Sequence, residues 1–293
     1  MTTLSSATEA SESRSTRPRA FIVTIYGLYA REVGGWISVS ALIQLMGQLE
    51  VDAPSVRSAI SRLKRRGLLE ARKANGSAGY GLSQQAREIL DEGDQRIFGR
   101  RRAELADGWL LAVFSVPEAQ RQQRHLLRSR LSWLGFGVTA SGVWIAPHYL
   151  YEETREVLER HDLSGYVDLF RADYLAFGDV SELVAQWWDL EGLQRLYDEF
   201  LSSFFPVRDR WRQGGAGSDA EAFGDYARVL TEWRRLPFLD PGLAPELLPP
   251  DWHGARAAAL FDELRERLTE RAHRFASSVI EEHKGRPAAA DQL

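Results

Sequence analysis

The stretch VRSAISRLKRR, Val56 to Arg66, packs five cations and two serines into eleven residues. Val56, Ala59, Ile60 and Leu63 recur at i, i+3, i+4 and i+7. On a helix they form one apolar face and leave Ser58, Ser61, Arg62 and Arg65 opposite it, flanked by Arg57 and Lys64. That combination suits the major groove of duplex DNA, where an arginine fork takes guanine O6 and N7 together and a serine hydroxyl tolerates several base edges. Arg66, near the helix end, and Arg72 and Lys73 a few residues on have the chemistry to meet phosphates, a contact that adds affinity without reading bases. The plainer alternative is a solvated helix face whose late cations complement the helix dipole. Against it stands the setting, because this run is the last of three closely spaced helices and a hairpin follows.

Those elements are well marked. Asp52 and Pro54 give an N-cap and a first-turn proline for the basic helix, and Gly67 stops it. A first helix is expected over Phe21 to Ala30, with Ile22, Ile25, Tyr26 and Tyr29 at helical spacing, ended by Gly34 and Gly35. Ser38 or Ser40 caps a second helix carrying Leu42, Ile43, Leu45 and Met46, closed near Gly47. Leu68 to Lys73 and Tyr80 to Leu82 flank the turn-rich Asn75 to Gly79, which predicts a β-hairpin. A charged helix from Ser83 to about Arg102 leads onward, so 18–102 reads as a winged helix-turn-helix with a linker helix, preceded by a polar tail over 1–17.

Charge follows the same division. Residues 19–75 hold nine Lys/Arg against four acids, and residues 1–18 balance, so under the net charge of −4 the rest of the chain is markedly acidic. A basic module on an acidic body points to a localised polyanion-binding face. The absence of cysteine removes thiolate nucleophiles, disulfides and Cys-based zinc sites, and fits a reducing cytoplasm. The N-terminus lacks the apolar stretch of a signal peptide and no run approaches a membrane span, so a cytoplasmic protein without membrane contact is expected. The six histidines show no metal-ligand spacing, and no G-x-S-x-G, P-loop or complete G-x-G-x-x-G is present. Neither a metal, a cofactor nor a catalytic residue is assigned.

Beyond the linker, Trp109 to Val116 reads as a buried strand closed by Pro117. A helix over Glu118 to Leu134 follows, then strands Phe136 to Thr139 and Val143 to Ala146, a helix Glu152 to His161 and a strand Tyr166 to Leu175. The order βαββαβ predicts a ferredoxin-like domain over 103–178. Residues 179–284 read as all-helical, with Leu183, Trp187, Trp188, Leu193, Leu196, Tyr197, Phe200 and Phe204 at helical spacing, later helices at Glu221 to Arg235 and Gly254 to about Glu282, and a tail over 285–293. The fold class is therefore α+β and multidomain.

The stretches RPRAFIVTIYGLYAREVGGWISVSALIQLM, VRSAISRLKRRGLL and GYGLS resemble the winged-helix domain of the phenylacetic-acid catabolon repressors, the PaaX-like regulators. WLLAVFSVPE and RLSWLGFGVTASGVWIAP are similar to that family's ferredoxin-like, Cas2-like central domain, and WDLEGLQRLYDEFL with DPGLAPELLPPDWHGARAAALFDEL resembles its helical C-terminal domain. The resemblance implies a homodimeric repressor of aromatic catabolism, bound to a double-stranded operator and released by an aryl-acyl-CoA such as phenylacetyl-CoA. The effector pocket stays unknown. Trp187, Trp188, Tyr197 and Arg195 are its weakest candidates, since an aromatic stripe at helical spacing is usually core. Two other readings remain: a DNA-binding dimer without an effector, and a Cas2-like metal-dependent nuclease. For the latter, Ser115 stands in VFSVPE where that fold carries its metal-binding acid.

Overall fold

The computed structural model describes residues 17–284 apart from 75, 100, 176, 178 and 214–216. The element order is α1 (17–25), β1 (Trp36–Ser38), α2 (Val39–Gly47), α3 (Ala53–Arg65), β2 (Leu69–Ala74), β3 (Ser77–Leu82), α4 (Gln84–Phe98), β4 (Trp109–Phe114), α5 (Arg121–Trp133), β5 (Gly137–Ala140), β6 (Val143–Pro147), α6 (Tyr151–Arg160), β7 (Val167–Ala172), α7 (Val180–Trp187), α8 (Leu190–Arg212), α9 (Asp219–Trp233), α10 (Leu236–Leu239) and α11 (Gly254–Glu282). Residues 1–16 and 285–293, expected as tails, lie outside the described residues. Arg17 does not belong to a tail: it opens α1, with its guanidinium 5.7 Å from the Phe21 ring centroid.

The chain forms two compact units that gather segments distant in sequence. One takes the described residues up to Asp94 with Ser202–Trp233 and the chain from Ala258 on; the other takes Gln95–Leu201 and Arg234–Ala257.

In the first unit, α1 buries Ile22 and Ile25, and a single π-helical turn, Tyr26–Ala30, adds Tyr26 and Tyr29 to the same stripe. Gly34 and Gly35, at φ +86° and +79°, turn the chain out of the helix in a conformation that L side chains resist. Ser38 caps α2, its Oγ accepting the Ala41 N–H at 3.1 Å. β2 and β3 form the expected hairpin, antiparallel from Leu69 opposite Leu82 to Ala74 opposite Ser77. β1 was not foreseen; it pairs with the other side of β3, giving the order β1-β3-β2. Three residues are too few to display a period-two pattern. From the C-terminal part of the chain, α8 from Ser202 on, α9 and α11 from Ala258 on complete this unit: Thr24 and Thr231 share a buried 2.7 Å hydrogen bond, Tyr29 lies 5.5 Å from Phe223, and Trp233 stacks on Phe261 at 4.7 Å.

In the second unit, β4-α5-β5-β6-α6-β7 follow the βαββαβ order, and the sheet is β5-β6-β4-β7 with every pair antiparallel. One face packs on α5 and α6, where Leu110, Ala112, Trp144 and Ala146 meet Leu127, Leu131, Val157 and Leu158. On the opposite face Trp109 meets the Trp187 ring edge-on at 5.7 Å and stacks near Trp188 at 6.2 Å. The helical remainder holds Tyr197 fully buried, with its hydroxyl donating to Asp240 Oδ2 at 2.6 Å.

Candidate nucleic-acid interface

Local chemistry builds α3. Asp52 Oδ1 accepts the Ser55 N–H at 2.7 Å, and Pro54 occupies the first turn without wasting a donor. The Ser55 amide, and then its hydroxyl, hold the Asp52 carboxyl below the usual carboxylate range. At the other end Gly67, at φ +71°, lets its own N–H reach Lys64 O and the Leu68 N–H reach Leu63 O, the paired bonds of a Schellman stop.

Between these caps the helix is two-faced. Val56, Ala59, Ile60 and Leu63 are all buried, whereas Arg57, Ser58, Ser61, Lys64, Arg65 and Arg66 are exposed and Arg62 is half-buried. Burial of the apolar face fixes the helix and aims the predicted residues outward together. The outcome is a ridge with four exposed cations, plus Arg62 at its margin, on a well-anchored helix.

The hairpin brings a further feature that the sequence reading missed. Trp36 lies across β3, and its indole N–H donates to the Arg72 carbonyl at 3.2 Å. Gly79 makes this possible, because a Cβ there would stand 2.5 Å from both the Trp36 ring and the Ile37 carbonyl oxygen. Gly81 similarly leaves room for the Arg72 side chain, whose Cδ would be 3.1 Å from a Cβ at that position. The glycines at alternate positions of SAGYGL were the available signal: on a strand they share one face, and that face is left bare for a neighbour.

Strand alternation also separates two residues that the sequence reading grouped. Arg72 lies on the face that carries Glu70 and pairs with the Glu70 carboxylate at 2.8 Å, while Lys73 belongs to the opposite face and is exposed. The Arg72–Glu70 pair is half-exposed, so it holds the guanidinium only weakly.

The other predicted candidates fall elsewhere. Trp188 is structural: its indole N–H donates to Gly135 O at 2.9 Å, and Gly137 must be glycine because a Cβ would come within 2.7 Å of the ring. Tyr197 is core, and Arg195 is exposed. Ser115 follows β4, its N–H on Tyr166 O at 3.2 Å. Among the described residues there is no group of three His, Cys, Asp or Glu that could hold a metal ion, and no helix long and apolar enough to cross a membrane.

Three family models match the chain in order: "PaaX-like protein" over residues 17–86, "PaaX protein central Cas2-like domain" over 102–184 and "PaaX-like protein C-terminal domain" over 188–278. The chain belongs to the PaaX-like family. Transcriptional repressor PaaX of Escherichia coli (strain K12) is 24% identical over 94% of this chain and 87% of its own length. Among solved structures, the uncharacterized protein Rv0674 from Mycobacterium tuberculosis shares the fold, with a TM-score of 0.53 and 24% identity over 85% of this chain and 99% of that one.

Proposed function

We propose that this chain is a DNA-binding transcriptional repressor and not an enzyme, and that 18–102 is a winged helix-turn-helix whose reading helix is α3. The observation that carries the reading is the two-faced α3: four buried apolar residues anchor a ridge of exposed Arg57, Ser58, Ser61, Lys64, Arg65 and Arg66. In this reading Ser58, Ser61, Arg62 and Arg65 address base edges in the major groove, Arg57 and Lys64 flank them, and Arg66, Arg72 and Lys73 neutralise phosphates. The similarity to a transcriptional repressor of Escherichia coli supports the direction of control. The acidic body over 103–178 and 179–284 serves sensing and pairing. The repressor acts as a homodimer on a two-fold operator, as half-site reading by one helix per protomer requires, and an aryl-acyl-CoA releases it.

Fluorescence anisotropy with a labelled duplex from the gene's own upstream region tests this. The expected result is tighter binding to that duplex than to a scrambled one by about 10³-fold or more, with affinity falling steeply with salt. Release by phenylacetyl-CoA is the second arm. Equal affinity for both duplexes would overturn the reading; operator binding indifferent to every acyl-CoA would leave a repressor without that effector.

A further inference from the structure

Within the second unit a recess of about 240 Å³ opens where the start of β4, the end of β7 and the 243–247 turn meet. Its floor is apolar: Pro147, Val180, Leu243 and Leu247 line it, and the two leucines belong to a buried cluster with Val184 and Leu190. Two rings stand in its wall, Trp109 half-buried and Tyr174 exposed. Trp187 joins them, edge-on to Trp109 at 5.7 Å and to Tyr174 at 6.2 Å. Among the described residues, the charged side chains that line the recess are both carboxylates, Glu104 and Asp173.

Neither carboxylate is spent on a cation. Among the described residues no hydrogen bond or ion pair engages Asp173. Glu104 accepts the Asp107 N–H in the cap of a single short turn, which leaves its other lone pairs open. Gly108, at φ +75°, helps to seat Asp173, since a Cβ there would stand 3.3 Å from Asp173 Oδ1. Arg171 Nε lies 3.9 Å from that same point, yet Arg171 does not line the recess. It stands opposite Leu110, on the sheet face that packs on α5 and α6, whereas Trp109 stands opposite Ala172 on the other face. The mouth therefore attracts cations and repels carboxylates.

We infer that this recess binds a small organic cation carrying one aromatic ring, of the arylalkylamine class. The ring lies against Trp109, Tyr174 and the leucine floor, and the ammonium stands at the mouth by Asp173 and Glu104. An ammonium gains twice there, from the quadrupole of the aromatic faces and from the carboxylates. An arylcarboxylate of the same size would meet two like charges and no cation. A cavity of about 150 Å³ holds benzene, so one of about 240 Å³ takes a ring with a short arm. The inference stands apart from the effector reading above, because the phosphates of an acyl-CoA find no cation in this lining.

Ligand-observed NMR titration of the full chain, with 2-phenylethylamine, 2-phenylethanol, phenylacetate and ethylamine as separate probes, decides it. 2-Phenylethylamine is expected to bind with a Kd of about 0.1–10 mM, the range that a ligand of about nine non-hydrogen atoms supports. 2-Phenylethanol, which has the same ring and arm without the charge, is expected to bind about 3- to 30-fold more weakly, and phenylacetate and ethylamine not measurably. Asp173→Asn is expected to weaken the amine by about 2- to 5-fold and to leave 2-phenylethanol unchanged, whereas Tyr174→Ala weakens both by about 2- to 10-fold. Both side chains are exposed, so neither variant takes anything from the core. Asp262→Asn, an exposed acid of the first unit, is expected to change nothing and controls for general attraction of amines to an acidic protein. The titration contains no DNA, so its outcome does not depend on operator binding. 2-Phenylethanol or phenylacetate binding as tightly as the amine, ethylamine binding as tightly, no binding of the amine by about 50 mM, or unchanged amine affinity in either Asp173→Asn or Tyr174→Ala would each overturn it.

Discussion

Replacing Gly79 with alanine is expected to destabilise the hairpin through two contacts of different hardness. An added Cβ would stand 2.5 Å from the Trp36 ring and 2.5 Å from the Ile37 carbonyl oxygen, where about 3.5 Å is comfortable, so one side must yield by roughly 1 Å. The indole can swing away at the expense of its hydrogen bond to Arg72 O, but the carbonyl belongs to β1 and moves only with the strand. Overpacking of this kind costs about 1–3 kcal/mol, or a fall in Tm of roughly 2 to 12 °C for units of this size. Differential scanning calorimetry reads it, with two comparisons. Gly47→Ala, where nothing lies within 4 Å at the end of α2, is expected to be neutral or to stabilise by about 0.5 kcal/mol. Gly79→Ala combined with Trp36→Ala is expected to stay below Trp36→Ala alone, because the Ile37 carbonyl still clashes. If Gly79→Ala melts within about 1 °C of the parent, the close seating of β1 and Trp36 on β3 is wrong.

Arg62→Ala is expected to lower the preference for operator over random duplex by about 5- to 100-fold, whereas Lys73→Ala weakens both duplexes alike and reduces the salt slope by about one; equal losses on both duplexes for both variants would show that α3 is not the reading helix. Tyr197→Phe removes a buried hydroxyl from Asp240 and is expected to cost about 1–3 kcal/mol in urea unfolding, and an unchanged midpoint would contradict the bond. The Asp219 carboxyl is held below its usual range by hydrogen bonds from Arg274 and then Arg271. Because the folded state depresses this pKa, its contribution is present above the unfolded value of about 4 and is lost as pH falls below it, so Asp219→Asn is expected to flatten the acid limb of the stability profile. A profile parallel to the parent's would rule that out.

Much of α3 was legible because its signals are local. Asp52, Pro54 and Gly67 act within a turn of their own positions, and the spacing of Val56, Ala59, Ile60 and Leu63 names the buried face without knowledge of what covers it. The βαββαβ order of the central strands and helices was legible for the same reason, with ends displaced by a residue or a few. β1 was not, since three residues carry no period and acquire strand character only from β3, more than forty positions away.

Sequence alone thus determined which residues of α3 face outward together, that the basic charge clusters in the first quarter of the chain, and that no thiol chemistry is available. Only the tertiary structure decided that Trp36 seats on Gly79, that Arg72 and Lys73 occupy opposite faces, that α8 from Ser202 on, α9 and α11 from Ala258 on pack with the N-terminal segment, and that Glu104 and Asp173 share a recess with Trp109 and Tyr174. The physical reason is shared by all four. Each depends on contacts between residues far apart in sequence, or on the pleat of a paired strand, and a one-dimensional pattern records neither.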